Sequence, residues 1–424
     1  MPSDPPTSST TPTGIGIAEF LFQEGQTLAR AQQPREALGW FRRAADLGHA
    51  EAALAAGRVL LFLGEDDAER REAIARLSIA ERAGLTAAGY LLAQVALGGR
   101  LLPCDFLAID QRLLAAARAG FAPAQRALGL MFGRDPDPRA QQAAHQLFAD
   151  AAEAGDWVSA YLLAERLRHG EGGAADPAAA NALYAQLQGA GLPALPRLPR
   201  SNLTEAPASE EAPLRLSSEA MLALPERLER SARPRVHTLP ELFSVEECRF
   251  LIAMASPHLR RSQVFDPSSD AALQHEIRDS SDASFDPLLE DFSLRLLQLR
   301  MARAAACELV QGEQLIVLRY QPGERYLAHR DYLAPSALAA NRPDAGQRLR
   351  TVCVNLHPVA AGGETEFPLL DLKLPVTLGT AVVFDSLYPD GRLDADSLHA
   401  GLPVISGEKW LATLWFRQHA YRAF

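Results

Sequence analysis

The sequence predicts a multidomain α plus β protein: an α-helical solenoid of paired helices, followed by a separate β-rich domain of sandwich or barrel type. Three observations predict it. Glycines recur at Gly48, Gly84, Gly120, Gly155 and Gly191, with spacings of 36, 36, 35 and 36 residues. A proline-rich stretch of little periodicity, 196–235, then interrupts the chain. Beyond about residue 312 the pattern changes to short apolar runs such as "QLIVLRY", "RTVCVNL", "TAVVFDS" and "KWLATLWF". Turn signals separate them at Pro322-Gly323, Gly362-Gly363, Asp390-Gly391 and Ser406-Gly407, the spacing of short β-strands.

Residues 1–14 are rich in Pro, Ser and Thr and are expected to form a disordered tail. Residues 15–195 carry the repeat. Seven residues before each repeating glycine stands a large apolar residue, Phe41, Leu77, Leu113, Phe148 or Tyr184. Nine residues after the first four stands a small one, Gly57, Ala93, Gly129 or Ala164. This reads as helix, turn, helix. The glycine supplies a left-handed turn without a Cβ clash, and the small residues let helices approach. A single pair cannot bury its own apolar face, so pairs must stack. Residues 196–235 read as a linker, with a short helical stretch around 219–228. The β-rich domain occupies 236–424. It opens on an apolar strand at Val236, and Ser244 and Glu247 then form a capping box that starts a helix. Asp286-Pro287 predicts the start of a second helix carrying Leu289, Phe292, Leu296 and Leu299 on one face.

Composition narrows the function. The chain has 424 residues, of which 48% are apolar and 22% charged, ordinary values for a globular protein. Its 42 basic and 52 acidic residues give a net charge of −10, and no Lys/Arg run is present. That argues against nucleic acid and anionic membrane as partners. No stretch of 18 apolar residues could span a bilayer. Four scattered cysteines form no Cys-x-x-Cys, and the first residues lack the basic start and apolar core of a signal peptide. A cytoplasmic location is expected.

Chemistry concentrates in three segments. His329 and Asp331 form His-x-Asp just after "LIVLRY", and residues i and i+2 of an extended segment share a face. His399 follows 70 residues later. Two imidazoles and one carboxylate can occupy one face of an octahedral metal and leave three positions open, as in non-haem Fe(II) oxygenases. Lys409 stands ten residues after His399, and on a strand it shares a face with Leu411, Thr413, Trp415 and Arg417. Such a lysine is either an edge residue in solvent or an internal cation that needs an anion. A dicarboxylate chelating the metal at its keto-acid end would bring its far carboxylate to it.

These pieces, in order, resemble the prolyl 4-hydroxylase catalytic domain of the 2-oxoglutarate/Fe(II) dioxygenases. "LIVLRYQPGERYLAHRDY" resembles its strand, tyrosine-containing turn and His-x-Asp, and "GGETEFP" resembles its Gly-Gly-Glu-Thr-x-Phe-Pro turn. "DSLHAGLPVISGEKWLATLWFR" resembles its distal histidine and lysine, and "FSVEECRFLI" and "IRDSSDAS" its leading helix and Arg-x-Ser segment. Residues 17–195, with units such as "FRRAADLGHAEAALAAG", resemble Sel1-like tetratricopeptide repeats. The resemblance implies a double-stranded β-helix (jelly roll) with flanking helices. It implies Fe(II) on His329, Asp331 and His399, and 2-oxoglutarate on Lys409. Tyr320, Thr413 and Trp415 would line the pocket. Asn355 stands where relatives commonly place a tyrosine that helps hold the co-substrate, and is expected to take that role with a shorter reach. Dioxygen and L-ascorbate are the further implied cofactors. The implied substrate is a prolyl residue of a peptide or protein recruited by the repeats, converted with release of succinate and CO2. Two alternatives stay open on sequence: a repeat-based scaffold whose β domain senses rather than catalyses, and a dioxygenase acting on a small molecule. The oligomeric state is not indicated.

Overall fold

A computed structural model describes residues 14–201, 214–262 and 279–424. The expected N-terminal tail, apart from Gly14, and Arg278 of the Arg-x-Ser match fall outside these residues. The chain divides into two compact units, Met1–Pro103 and Cys104–Phe424.

The first unit is all helical: α1 (Gly14–Arg30), α2 (Pro34–Asp46), α3 (Ala50–Leu63), α4 (Asp67–Arg82) and α5 (Thr86–Ala96). The second opens with α6 (Phe106–Arg118), α7 (Ala122–Gly133), α8 (Pro138–Glu153), α9 (Trp157–His169) and α10 (Pro177–Gly189). The repeating glycines all sit at turns with positive φ, between 79° and 91°. The carboxylates of Asp66, Asp105, Asp137, Asp156 and Asp176 cap five of the helices by accepting from backbone N–H groups. The large and small residues of the repeat meet. A Cβ on Gly129 would lie 2.6 Å from the ring of Phe148, so the ring fills the space glycine leaves. No helix among the described residues is long and apolar enough to cross a membrane.

The β-rich part follows. An eight-stranded sheet contains, in spatial order, β1 (Leu228–Ala232), β2 (Arg235–Leu239), β11 (Ala381–Asp385), β7 (Arg348–Asn355), β14 (Lys409–Arg417), β5 (Leu315–Tyr320), β4 (Ser281–Phe285) and β3 (Arg260–Arg261). A second sheet has the order β10 (Leu372–Leu374), β9 (Thr365–Phe367), β12 (His399–Gly401) and β6 (Tyr326–His329). β8 (Ala361–Gly362) pairs with β13 (Val404–Ser406). Among the described residues the strands pair antiparallel throughout.

Strand periodicity explains how the large sheet serves two purposes. Val317, Val352, Val354, Ala412, Leu414 and Phe416 join a core with helix α11 (Val245–Ala255) and the helix Phe292–Ala304. The alternate residues Leu318, Tyr320, Cys353, Leu411, Thr413 and Trp415 face a cavity on the other side. The same core runs on into the second unit's own repeats through Leu130, Phe148, Val158, Tyr161 and Leu162.

Charges on α11 fasten this contact. The buried Arg166 guanidinium donates to both Glu246 oxygens, at 2.7 and 2.9 Å, and also to Gln141. Arg249, fully buried, donates to Glu171 at 2.7 and 3.1 Å and to the Pro199 carbonyl. Arg134 and Arg300 share Glu247, the capping-box residue of α11. The first part of the proline-rich stretch lies in this region, with Leu198 buried and Pro196 accepting from the Tyr161 hydroxyl at 2.9 Å.

Two local expectations are corrected. The second helix begins at Phe292, not Pro287: Asp291 caps it by accepting from Leu294 N, while Asp286 accepts from Leu288 N in a turn of its own. Leu289 is consequently outside the helix and exposed. The stretch 219–228 is a single 3-10 turn, Ala220–Leu222, followed by β1, because pairing with β2 claims the chain from Leu228 onward.

Candidate active site

Strand register builds the site. β12 pairs with β6 so that His399 lies directly opposite His329, and their ring centres are 4.3 Å apart. Asp331 lies two residues beyond the end of β6. One ligand atom from each of His329, Asp331 and His399 falls within 4.8 Å of the others. His329 Nε2 is 3.6 Å from Asp331 Oδ1, and His399 Nε2 is 3.8 Å from Oδ2.

The surroundings suit a metal. His329 Nδ1 faces the Leu327 carbonyl at 2.8 Å, and His399 Nδ1 faces the Ser397 carbonyl at 3.0 Å. A carbonyl only accepts, so each ring carries its proton on Nδ1 and turns the Nε2 lone pair toward the carboxylate. Tyr326 stacks on His329 with ring centres 3.5 Å apart, and Phe384 packs against His399 at 4.5 Å. Burial works against the Asp331 carboxylate, but His399, His329 and Arg348 outweigh it and hold the group well below the usual carboxylate range. Burial, with His329 alongside, lowers His399 to about 4, so its ring is neutral at neutral pH. Two imidazoles and an ionised carboxylate, gathered in one cavity, are the donor set that Fe(II) accepts.

Lys409 lines the same cavity and is 3% exposed, which decides between an edge residue and an internal cation. Its ammonium donates to the Gly363 carbonyl at 2.6 Å and lies 5.8 Å from the centre of the Tyr320 ring. No carboxylate pairs with it among the described residues. Burial lowers it to about 8, against the opposing pull of Cys353 and Glu364. A lysine in this state is ready for an external anion.

The cavity gathers His329, Asp331, His399, Lys409, Tyr320, Thr413 and Trp415. Asn355 is not among its lining residues. Its neighbour on the same face of β7, Cys353, forms that part of the wall, 3.6 Å from the Thr413 hydroxyl. The Asn355 backbone is tied to Gly379 and Thr380, and the residue is buried. Arg330, between the two ligands in sequence, points elsewhere and donates to the Ala395 carbonyl.

Sequence reasoning missed Tyr326, Cys353 and Thr351. Thr351, fully buried on β7, donates to Asp331 Oδ2 at 2.5 Å. Arg348 forms a two-pronged ion pair with Glu313, both contacts at 2.8 Å, and lies 4.0 Å over the Trp415 ring. Tyr326 alone had a local signal, since it precedes His329 by three in the strand that carries it.

Comparison with known proteins agrees with this geometry. The model of the 2OG-Fe(II) oxygenase superfamily matches residues 315–417. The probable prolyl 4-hydroxylase 10 of Arabidopsis thaliana is 33% identical over 211 residues, 45% of this chain and 72% of that protein. Prolyl 4-hydroxylase 1 of the same plant is 34% identical over 201 residues, 44% of this chain and 70% of that protein. Among solved structures, a viral collagen prolyl hydroxylase from Paramecium bursaria Chlorella virus-1 is similar over 43% of this chain and 95% of its own, at 28% identity and a TM-score of 0.34. A Sel1 repeat protein from Oxalobacter formigenes is similar over 43% of this chain and 76% of its own, at 20% identity and a TM-score of 0.38. With a His-Asp-His set in one cavity and relatives matched over more than two thirds of their length, the chain belongs to the prolyl 4-hydroxylase family of 2-oxoglutarate- and Fe(II)-dependent dioxygenases.

Proposed function

We propose that the protein hydroxylates a prolyl residue of a peptide or protein that the helical repeats recruit. His329, Asp331 and His399 hold Fe(II), and Lys409 binds the distal carboxylate of 2-oxoglutarate. The observation that carries this reading is Lys409, buried in the same cavity as the three ligands with a carbonyl as its sole hydrogen-bond partner among the described residues.

When bound, Fe(II) supplies dioxygen activation that breaks a C–H bond. One oxygen atom of dioxygen enters the substrate and the other enters succinate, with CO2 released. The chain's own residues orient and exclude. The carbonyls of Leu327 and Ser397 fix the imidazole rings, and Lys409 fixes the co-substrate's far end. Leu318, Leu411, Phe384 and Trp415 make the walls apolar, which keeps water from the reacting centre. L-ascorbate would restore iron oxidised in turnovers without substrate.

The test is succinate formation by the Fe(II)-loaded protein with proline-containing peptides and with proteins captured by the full-length chain, read together with a gain of one oxygen atom on proline by mass spectrometry. The expected result is hydroxyproline in step with succinate, absent in His329→Ala. Succinate coupled only to a small molecule would overturn the prolyl substrate. Recruitment has its own readout. Removing residues 1–103 should raise KM for a protein substrate and leave KM for a short peptide unchanged; equal effects on both would contradict it.

A further inference from the structure

His329 and His399 sit in paired strands, so sheet hydrogen bonds fix their backbones. Asp331 belongs to no strand or helix. What holds it comes from β7: the Thr351 hydroxyl at 2.5 Å from Oδ2, and Arg348, whose guanidinium approaches the Asp331 carbonyl at 3.4 Å.

We propose that Thr351 is a positioning residue that commits Asp331 to bind the metal through Oδ1 alone. It rests on the reading of His329, Asp331 and His399 as metal ligands. A carboxylate only accepts, so the single hydroxyl proton of Thr351 is given to Oδ2, and the short O–H···O⁻ contact is of the charge-assisted kind. That bond draws charge from Oδ2 and makes Oδ1 the better donor. The count of positions requires this. With Fe(II) bound, two imidazoles and one carboxylate oxygen would leave three positions of an octahedral ion for co-substrate and dioxygen. A second oxygen from Asp331 would take a place one of these needs. Thr351 is fully buried, and its strand neighbours across the sheet are Trp415 and Phe384, so no water replaces its hydroxyl if it is lost.

The test is Mn(II) binding to the metal-free, full-length protein, followed by the spin resonance of free Mn(II), with water proton relaxation counting the waters left on the bound ion. Thr351→Val keeps the shape and removes the hydroxyl; Thr351→Ser keeps the hydroxyl. Thr351→Val should bind Mn(II) about 10- to 100-fold more weakly and retain fewer bound waters, whereas Thr351→Ser should stay within about threefold of wild type. A merely structural role would lower the melting temperature without changing the water count. Thr351→Val matching wild type in affinity and in bound water would overturn the proposal alone. Failure of wild type to bind Mn(II) would overturn the ligand assignment beneath it. Should Thr351→Val not fold, Thr351→Ala must lose what Thr351→Ser keeps, or the proposal fails.

Discussion

Along α11 the second unit buries Glu246, Glu247 and Arg249, and each meets an opposite charge supplied by another element. In the cavity it buries Lys409, and among the described residues no carboxylate answers it. Both regions pay for desolvating ions, but only one recovers the cost within the chain. The matched charges hold the repeats of the second unit to the sheet. The unmatched one is the group proposed above to meet the far carboxylate of the co-substrate. Completed pairs such as Arg166 with Glu246 serve the architecture, whereas Lys409, left with a carbonyl for company, is the candidate for the chemistry.

The largest expected effect breaks the architecture. A chain cut to residues 236–424 keeps every site residue but loses Arg166, Glu171, Arg134 and the apolar surface of α9, so it should not melt cooperatively. Residues 104–424 should. Calorimetry on the two fragments checks this, and a cooperative transition in the shorter one would show that the repeats are dispensable to the fold. Next comes the single pair. Arg166→Ala leaves Glu246 buried without its partner and should lower stability by about 3–5 kcal/mol in urea unfolding. Arg42→Ala in the first unit, whose side chain is 35% exposed and pairs with Glu72, should cost less than about 1 kcal/mol. Similar losses for the two would erase the distinction between buried and exposed pairs.

The smallest effect concerns pH. Burial sets Lys409 at about 8, so the lysine is charged below that value and loses its proton above it. Of the groups facing it, the Cys353 thiol is pushed up by burial to about 12 and stays neutral, while Glu364 opposes the shift. The kcat/KM for 2-oxoglutarate should be flat below about pH 7, halve by about pH 8 and approach a tenfold fall per unit above about pH 9 as the cation is lost. A profile still flat at pH 9.5 would remove Lys409 from co-substrate binding.

The repeat was legible because its signals are local. A glycine at each turn, a large residue seven before it and a small one nine after need no knowledge of distant chain, and Gly129 against Phe148 shows the rule at work. His329, Asp331, His399 and Lys409 were legible because their spacing carries the pattern. What could not be read depends on partners far along the chain. Thr351 reaches Asp331 only because β7 runs beside the site, and Arg166 finds Glu246 across 80 residues. The start of the second helix was misread for a different reason: Asp286 and Asp291 both offer a cap, and only packing chose Asp291.

Titration of 2-oxoglutarate into the Mn(II)-loaded, full-length protein by calorimetry bears most directly on the contrast between completed and waiting charges. Wild type and Arg166→Ala should bind with the same affinity, and Lys409→Ala about 100-fold more weakly. Equal affinity in Lys409→Ala and wild type would contradict the assignment of that lysine to the ligand.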